Sequence, residues 1–213
     1  MSVISSTRIV DLIQQGKMYL SPILCMEQIG AISVDLRLGN MALLVRGSGT
    51  SHVDPRAYAK HDAHGTSQTQ RQKFDQHEFM FREQFLLHPG SLALVPTLEW
   101  IKLPTNVKGV VTARSCWARE GLNIATANFI NPGYNGIITL ELSNLGQIPI
   151  ALFAGMRIAQ IAFHDVSPDA ADEFAASQFQ MSFEPRAGNI VKHDRSFIPF
   201  DLGNRKRTRG KHP

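Results

Sequence analysis

The chain of 213 residues is 43% hydrophobic and 19% charged, which suits one soluble globular domain with a real core. No apolar run approaches the roughly 18 residues that a membrane-crossing helix needs, so no membrane partner is expected. The net charge of +4 belongs to the tail: NRKRTRGKHP holds five Lys or Arg and no acid, leaving 17 of the 22 basic residues against 18 acids in the body.

Residues 1–200 therefore read as a single domain and 201–213 as a basic tail expected to be solvated and disordered. Weak counterion-release attraction to nucleic acid is the most such a tail offers, and nucleic acid is not expected as a partner. The N-terminal MSVISSTRIVDLIQQG has Asp11 inside its apolar pattern and lacks the long apolar centre and cleavage site of a signal peptide. A cytoplasmic location is the expectation. Within it, SSTRIVDLIQQGK predicts a short helix capped by Ser5, Ser6 or Thr7, striped by Ile9, Val10, Leu12 and Ile13, and ended by Gly16. Cys25 and Cys116 form no CxxC pair, so neither a metal ribbon nor a redox motif is expected, and a reduced compartment argues against a disulfide.

AISVDLRLG alternates Ile32, Val34, Leu36 and Leu38 against Ser33, Asp35 and Arg37, the period of a strand with one polar face. Residues 47–78 are polar and lack periodicity, as a functional or mobile loop would be. They hold HDAH, with His61 and His64 beside Asp62; that spacing can ligate a metal, but solvated loop histidines are commoner, and no metal site is expected. SLALVPTLEWIKLP predicts a strand, a break at Pro96 and a second strand. VKGVVTARS, GIITLELSN, IPIALFAG and RIAQIAFHDV continue the series between Gly, Asn and Pro turns. Many short strands with turns every eight to twelve residues predict an all-β sandwich or barrel.

Two places could carry chemistry. Arg114, Ser115 and Arg119 lie within six residues, next to Gly121. Two guanidiniums and a hydroxyl suit phosphate, because Arg donates in a planar fork to anionic oxygens, although a surface turn can have the same composition. Glu141 stands in the strand NPGYNGIITLELSN. Alternation puts it with Ile137, Thr139 and Ser143, opposite Ile138, Leu140 and Leu142, so a solvent-facing role and a chemical one both fit.

Six segments in order, AISVDLRLGN, HVDPR, LLHPGSLALVPTLEWIKLP, ARSCWAREGL, ATANFINPGYNGIITLELSN and PIALFAGMRIAQIAF, resemble the dCTP deaminase family and, more distantly, the trimeric dUTPases. The likeness spans about residues 1–165. It implies a dUTPase-like distorted barrel, or β-clip, with a short N-terminal helix, assembled as a homotrimer with sites between subunits. It implies hydrolytic deamination of a deoxycytidine nucleotide, with Glu141 shuttling protons, Arg119 steadying charge and Ser115 helping to hold the base. Most nucleobase deaminases activate water on zinc through HxE and PCxxC motifs; with no PCxxC here, no zinc is expected. By the same resemblance Arg114, Ser115, Cys116 and Gln160 meet phosphates, Thr126 and Ala127 hold base and water through their carbonyls, and Asn131, Tyr134 and Gln178 complete the substrate contacts. Mg2+ is expected only with the nucleotide phosphates.

The chain departs from the family pattern in ways that bear on the product. Asn131 replaces the usual acid before Pro-Gly; an amide cannot accept a proton as a carboxylate does, which argues for a deaminase that stops at the triphosphate. Cys116 replaces a serine. In the C-terminal arm Gln178 and Phe179 replace Lys and Tyr, with Arg186, Lys192 or Arg195 as candidates to compensate. The segment from Leu122 to Thr126 is one residue shorter than is common. Two other readings are a dUTPase-like diphosphatase and a nucleotide-binding regulator that kept the fold without turnover.

Overall fold

The computed structural model describes residues 2–46, 52–53, 73–124, 128–166, 179–186 and 188. His61, His64 and the tail at 201–213 lie outside them. The chain forms two compact units, one from Met1–Val45 and Gln76–Arg186, the other from Arg46–Asp75 and Ala187–Pro213. In the second, Arg46 Nε and Asp75 Oδ2 form an exposed ion pair at 2.9 Å. All that follows concerns the first.

Helix α1 covers Ser6–Gln14. Ser5 starts it through its backbone, in extended conformation, its carbonyl accepting from Ile9 N at 2.9 Å; its hydroxyl makes no capping bond. Gly16 ends it at φ +67°, a left-handed conformation that costs a glycine nothing. Of the expected stripe Ile9 is fully buried, with Leu12 and Ile13 packed beside it. No helix among the described residues is long and apolar enough to cross a membrane.

The strands in order are β1 (Tyr19–Ser21), β2 (Ser33–Arg37), β3 (Met41–Val45), β4 (Phe74–Glu78), β5 (Gln84–Leu87), β6 (Leu92–Lys102), β7 (Val107–Ala113), β8 (Leu122–Ile124), β9 (Phe129–Ile130), β10 (Asn135–Asn144), β11 (Ile150–Phe153) and β12 (Arg157–Asp165). A second short helix, α2, covers Ser115–Arg119, and a 3-10 turn covers Met26–Gln28. One sheet runs β4-β3-β6-β10-β8 with β1 also on β6, a second β2-β12-β7-β9, and a third pairs β11 with β5. Leu36, Leu38, Leu140, Leu142, Ile158 and Phe163 meet between them with essentially no exposure, each contributing roughly 1.5–3 kcal/mol of burial before entropy is charged.

Two expectations are corrected. Pro96 does not break the strand: β6 runs through it for 11 residues. The register against β10 shifts there, Ile137 facing Trp100 but Thr139 facing Pro96. This bulge absorbs the residue that cannot donate. Thr97 Oγ1 accepts from Ile138 N at 3.0 Å inside it. Arg37, placed by alternation on the polar face, is 7% exposed. It is buried because the bulge turns Glu99 inward toward it. Arg37 N donates to Glu99 Oε2 at 2.8 Å, Arg37 Nη1 reaches Glu99 Oε1 at 3.3 Å, and Gln28 Nε2 donates to Glu99 Oε1 at 2.9 Å. Arg37 Nη1 also donates to Gln28 Oε1, and Nη2 to Cys25 Sγ at 3.6 Å. Burial pushes the Glu99 carboxyl above its ordinary range in spite of the Arg37 donors.

Candidate functional site

The segment between β7 and β8 is built from one extended residue and one short helix. Arg114 keeps strand conformation, its N donating to Ile158 O at 3.0 Å, and its carbonyl then accepts from Trp117 N and Ala118 N to start α2. Trp117 Nε1 donates to the Arg157 carbonyl at 3.0 Å and ties the helix to β12. That anchorage leaves Ser115, Cys116 and Arg119 exposed. Both cysteines are free thiols. Gly121 then turns the chain at φ +88°, and a Cβ there would stand 2.7 Å from Gly146 N. Only glycine allows both the turn and the contact, through which Leu145 N donates to Gly121 O at 2.9 Å.

This contact delivers β8 onto β10, with Leu122 opposite Asn144, Asn123 opposite Ser143 and Ile124 opposite Leu142. The next residue along β10 is Glu141, which faces Leu94 of β6 on its other side. It is half-buried, as are Thr139 and Ser143, while Leu140 and Leu142 are buried beneath. Asn123 Nδ2 donates to Ser143 Oγ at 3.4 Å on the same face. The strand alternation read from sequence is thus the alternation observed. Three strand residues separate Glu141 from Asn144, where β8 receives α2, a distance of roughly 10 Å.

A second group stands where β2, β12 and the start of α2 meet. Asp35 Oδ1 lies 3.4 Å from Arg114 Nε and Asp35 Oδ2 lies 3.3 Å from Arg157 Nη1. Gln160 is aligned between Asp35 and Thr112, and its Nε2 donates to Thr112 Oγ1 at 3.3 Å. The sequence pattern did not single out Asp35 or Arg157. Asp35 read as a solvent-facing strand residue, and an irregularity between Arg157 and Ala159 interrupts the alternation of β12. Ile158 and Ala159 are consequently both buried, with half-buried Arg157 and Gln160 on either side.

Asn131 is exposed, and its carbonyl accepts from Tyr134 N at 3.2 Å. Tyr134 is buried, its hydroxyl donates to Ile137 O, and burial holds its pKa up at about 12, so it stays protonated. The segment 179–186 lies along this turn. Met181 N donates to Asn135 O at 2.7 Å, Ile137 N to Ser182 O at 3.2 Å and Gln180 Nε2 to Gly133 O at 3.3 Å. The Phe183 ring sits 4.7 Å from Trp100, whose Nε1 donates to Asn135 Oδ1. Arg186 is exposed. Thr126, Ala127, Gln178, Lys192 and Arg195 lie outside the described residues. Among the described residues no three His, Cys, Asp or Glu side chains stand together so as to hold a metal ion.

A family model described as dCTP deaminase-like matches residues 3–166. The "dCTP deaminase, dUMP-forming" of Dictyoglomus thermophilum is 34% identical over 193 residues, 88% of this chain and 94% of that protein. The dCTP deaminase of Rhodospirillum rubrum is 36% identical over 178 residues, 82% of this chain and 88% of that protein. The crystal structure of 2'-deoxycytidine 5'-triphosphate deaminase from Agrobacterium tumefaciens superposes with a TM-score of 0.57 at 24% identity. It covers 78% of this chain, which spans about half (48%) of the solved one. That likeness is one of fold, and it agrees with the mostly β architecture and short N-terminal helix that the resemblance implied.

Proposed function

The chain belongs to the dCTP deaminase-like family, and from that membership we propose that it hydrolyses dCTP to dUTP and ammonia in the cytoplasm, with Glu141 as the proton shuttle and without zinc. It is accordingly a hydrolase that acts on a cytosine C–N bond. The observation that carries the finer reading is the setting of Glu141: a half-buried carboxylate on the polar face of β10, beside the strand that α2 feeds.

The chemistry asks for a group that takes a proton and returns it. As water oxygen adds to C4, the Glu141 carboxylate accepts the water proton and passes it to N3. A second transfer protonates the 4-amino group, the C4–N bond breaks, ammonia leaves and the C4 carbonyl forms. Arg119, exposed at the end of α2, steadies charge on the oxygen. Ser115 and the carbonyls of Thr126 and Ala127 hold the base, while Asn131 and Tyr134 border the sugar. Arg114, Cys116, Gln160 and Gln178 meet the phosphates, with Mg2+ arriving on the triphosphate as part of the substrate.

A second reading, in which the product is dUMP, is favoured by the name of the Dictyoglomus thermophilum relative. Asn131 speaks against it, since a carboxylate there would direct water at phosphorus and an amide takes up no proton. One assay separates the readings. Ammonia matched by dUTP, with no pyrophosphate, is expected from dCTP. Pyrophosphate in step with ammonia would establish the second reading, and nucleotide binding without ammonia would leave a regulator.

The same reading includes a homotrimer with sites between subunits. Phe129, Leu145 and Ile148 are 65%, 73% and 72% exposed on the single chain, apolar area that subunit contacts would cover. Light scattering should return three times the chain mass of 23.6 kDa; a monomeric mass at assay concentration would rule out shared sites.

A further inference from the structure

We infer that Asp35 is a positioning residue, whose carboxylate sets the direction in which the Arg114 guanidinium meets a substrate phosphate. This deepens the function proposed above and rests on its reading of Arg114. The carboxylate is held from both sides, Oδ1 by Arg114 Nε at 3.4 Å and Oδ2 by Arg157 Nη1 at 3.3 Å. The Asp35 side chain is 14% exposed against 32% and 37% for the two arginines, so the acid is the sheltered, fixed member. Its backbone is fixed too: Gln28 Nε2 donates to Asp35 O at 3.0 Å, and β12 pairs with it through Gln160.

Arg114 uses one part of its planar fork on this anchor. With Nε turned to Asp35 and Nη1 to the Arg157 carbonyl at 3.5 Å, the plane of the fork is set before any ligand arrives. The donors of Nη2 remain for an anion. A guanidinium on a free stem would lose several rotatable bonds of freedom on binding; one already held loses less, and the difference appears as affinity. Arg157 completes the clamp by holding the second carboxylate oxygen, and the irregularity in β12 is what turns it to that position. Asp35 therefore touches no substrate and works through Arg114.

The test is an Asp35→Asn variant of the full chain, with dCTP affinity read by calorimetry and turnover by ammonia release. Asn keeps the shape but offers one acceptor and one donor, so one arginine is released. The dCTP Kd and KM should each rise roughly tenfold, the scale of one charge-assisted hydrogen bond, with kcat within about twofold. In an Arg114→Gln background the same change should cost less than about twofold, because the effect runs through that guanidinium. An equal loss in both backgrounds, an unchanged Kd, or a fall in kcat at constant KM would overturn the inference. Should Asp35→Asn fail to fold, Asp35→Glu, which keeps the charge but moves it by one methylene, carries the same comparison with a smaller rise. Calorimetry needs no turnover: wild-type chain that binds dCTP yet releases no ammonia counts against the proposed reaction alone.

Discussion

Replacing Glu141 with glutamine is expected to leave a folded chain that releases ammonia from dCTP about a thousandfold more slowly. Positioned proton transfer contributes on the order of 10²–10⁴ in rate, and glutamine keeps the size and an acceptor oxygen while losing the ability to take up a proton. The site makes the change mild for the fold. Glu141 is half-buried on the polar side of β10, and the apolar packing is done by Leu140 and Leu142 on the other side. Thermal unfolding should shift by no more than a few degrees, and dCTP should still bind. Turnover within tenfold of wild type would remove Glu141 from the mechanism and leave the family fold without this chemistry.

The second large effect concerns stability. Glu99→Leu should destabilise the chain by roughly 3–5 kcal/mol, because Arg37, 7% exposed, loses its counter-ion and Gln28 Nε2 loses an acceptor. For a chain of this size that is a fall in Tm on the order of 10 °C by calorimetry. Glu99→Gln, which keeps one acceptor without a charge, should cost less. The pH dependence has a definite sign. Burial raises the Glu99 carboxyl above its ordinary 4.5, so the folded chain holds that proton more tightly than the unfolded one. Its contribution is full below 4.5 and is lost as pH rises through the raised value. The stability gap between wild type and Glu99→Leu should therefore be widest in acid and narrow toward neutrality. A gap that widens with pH would show that the ion pair with Arg37, and not desolvation, dominates.

These two carboxylates mark how far sequence reasoning reaches. Glu141 was placed correctly because alternation along β10 needs only neighbours two residues away, and Thr139, Ser143 and the buried leucines define its face. Glu99 was not singled out, since its partners Gln28 and Arg37 lie 71 and 62 residues away and the bulge at Pro96 that turns it inward exists only when β10 pairs with β6. The resemblance supplied Arg114, Ser115 and Arg119 as a group, but not the carboxylate that holds the first of them.

The order of polar and apolar residues alone determined the N-terminal helix, the long strands and the polar flank on which Glu141 stands, because these follow from the backbone's own periods of 3.6 and 2. Tertiary structure decided which charges are buried and which are clamped. Asp35 meets Arg157 across 122 positions of sequence, and Arg37 finds Glu99 through a register shift. Such contacts depend on which strands pair and where a ladder slips by a residue, and no local pattern encodes either.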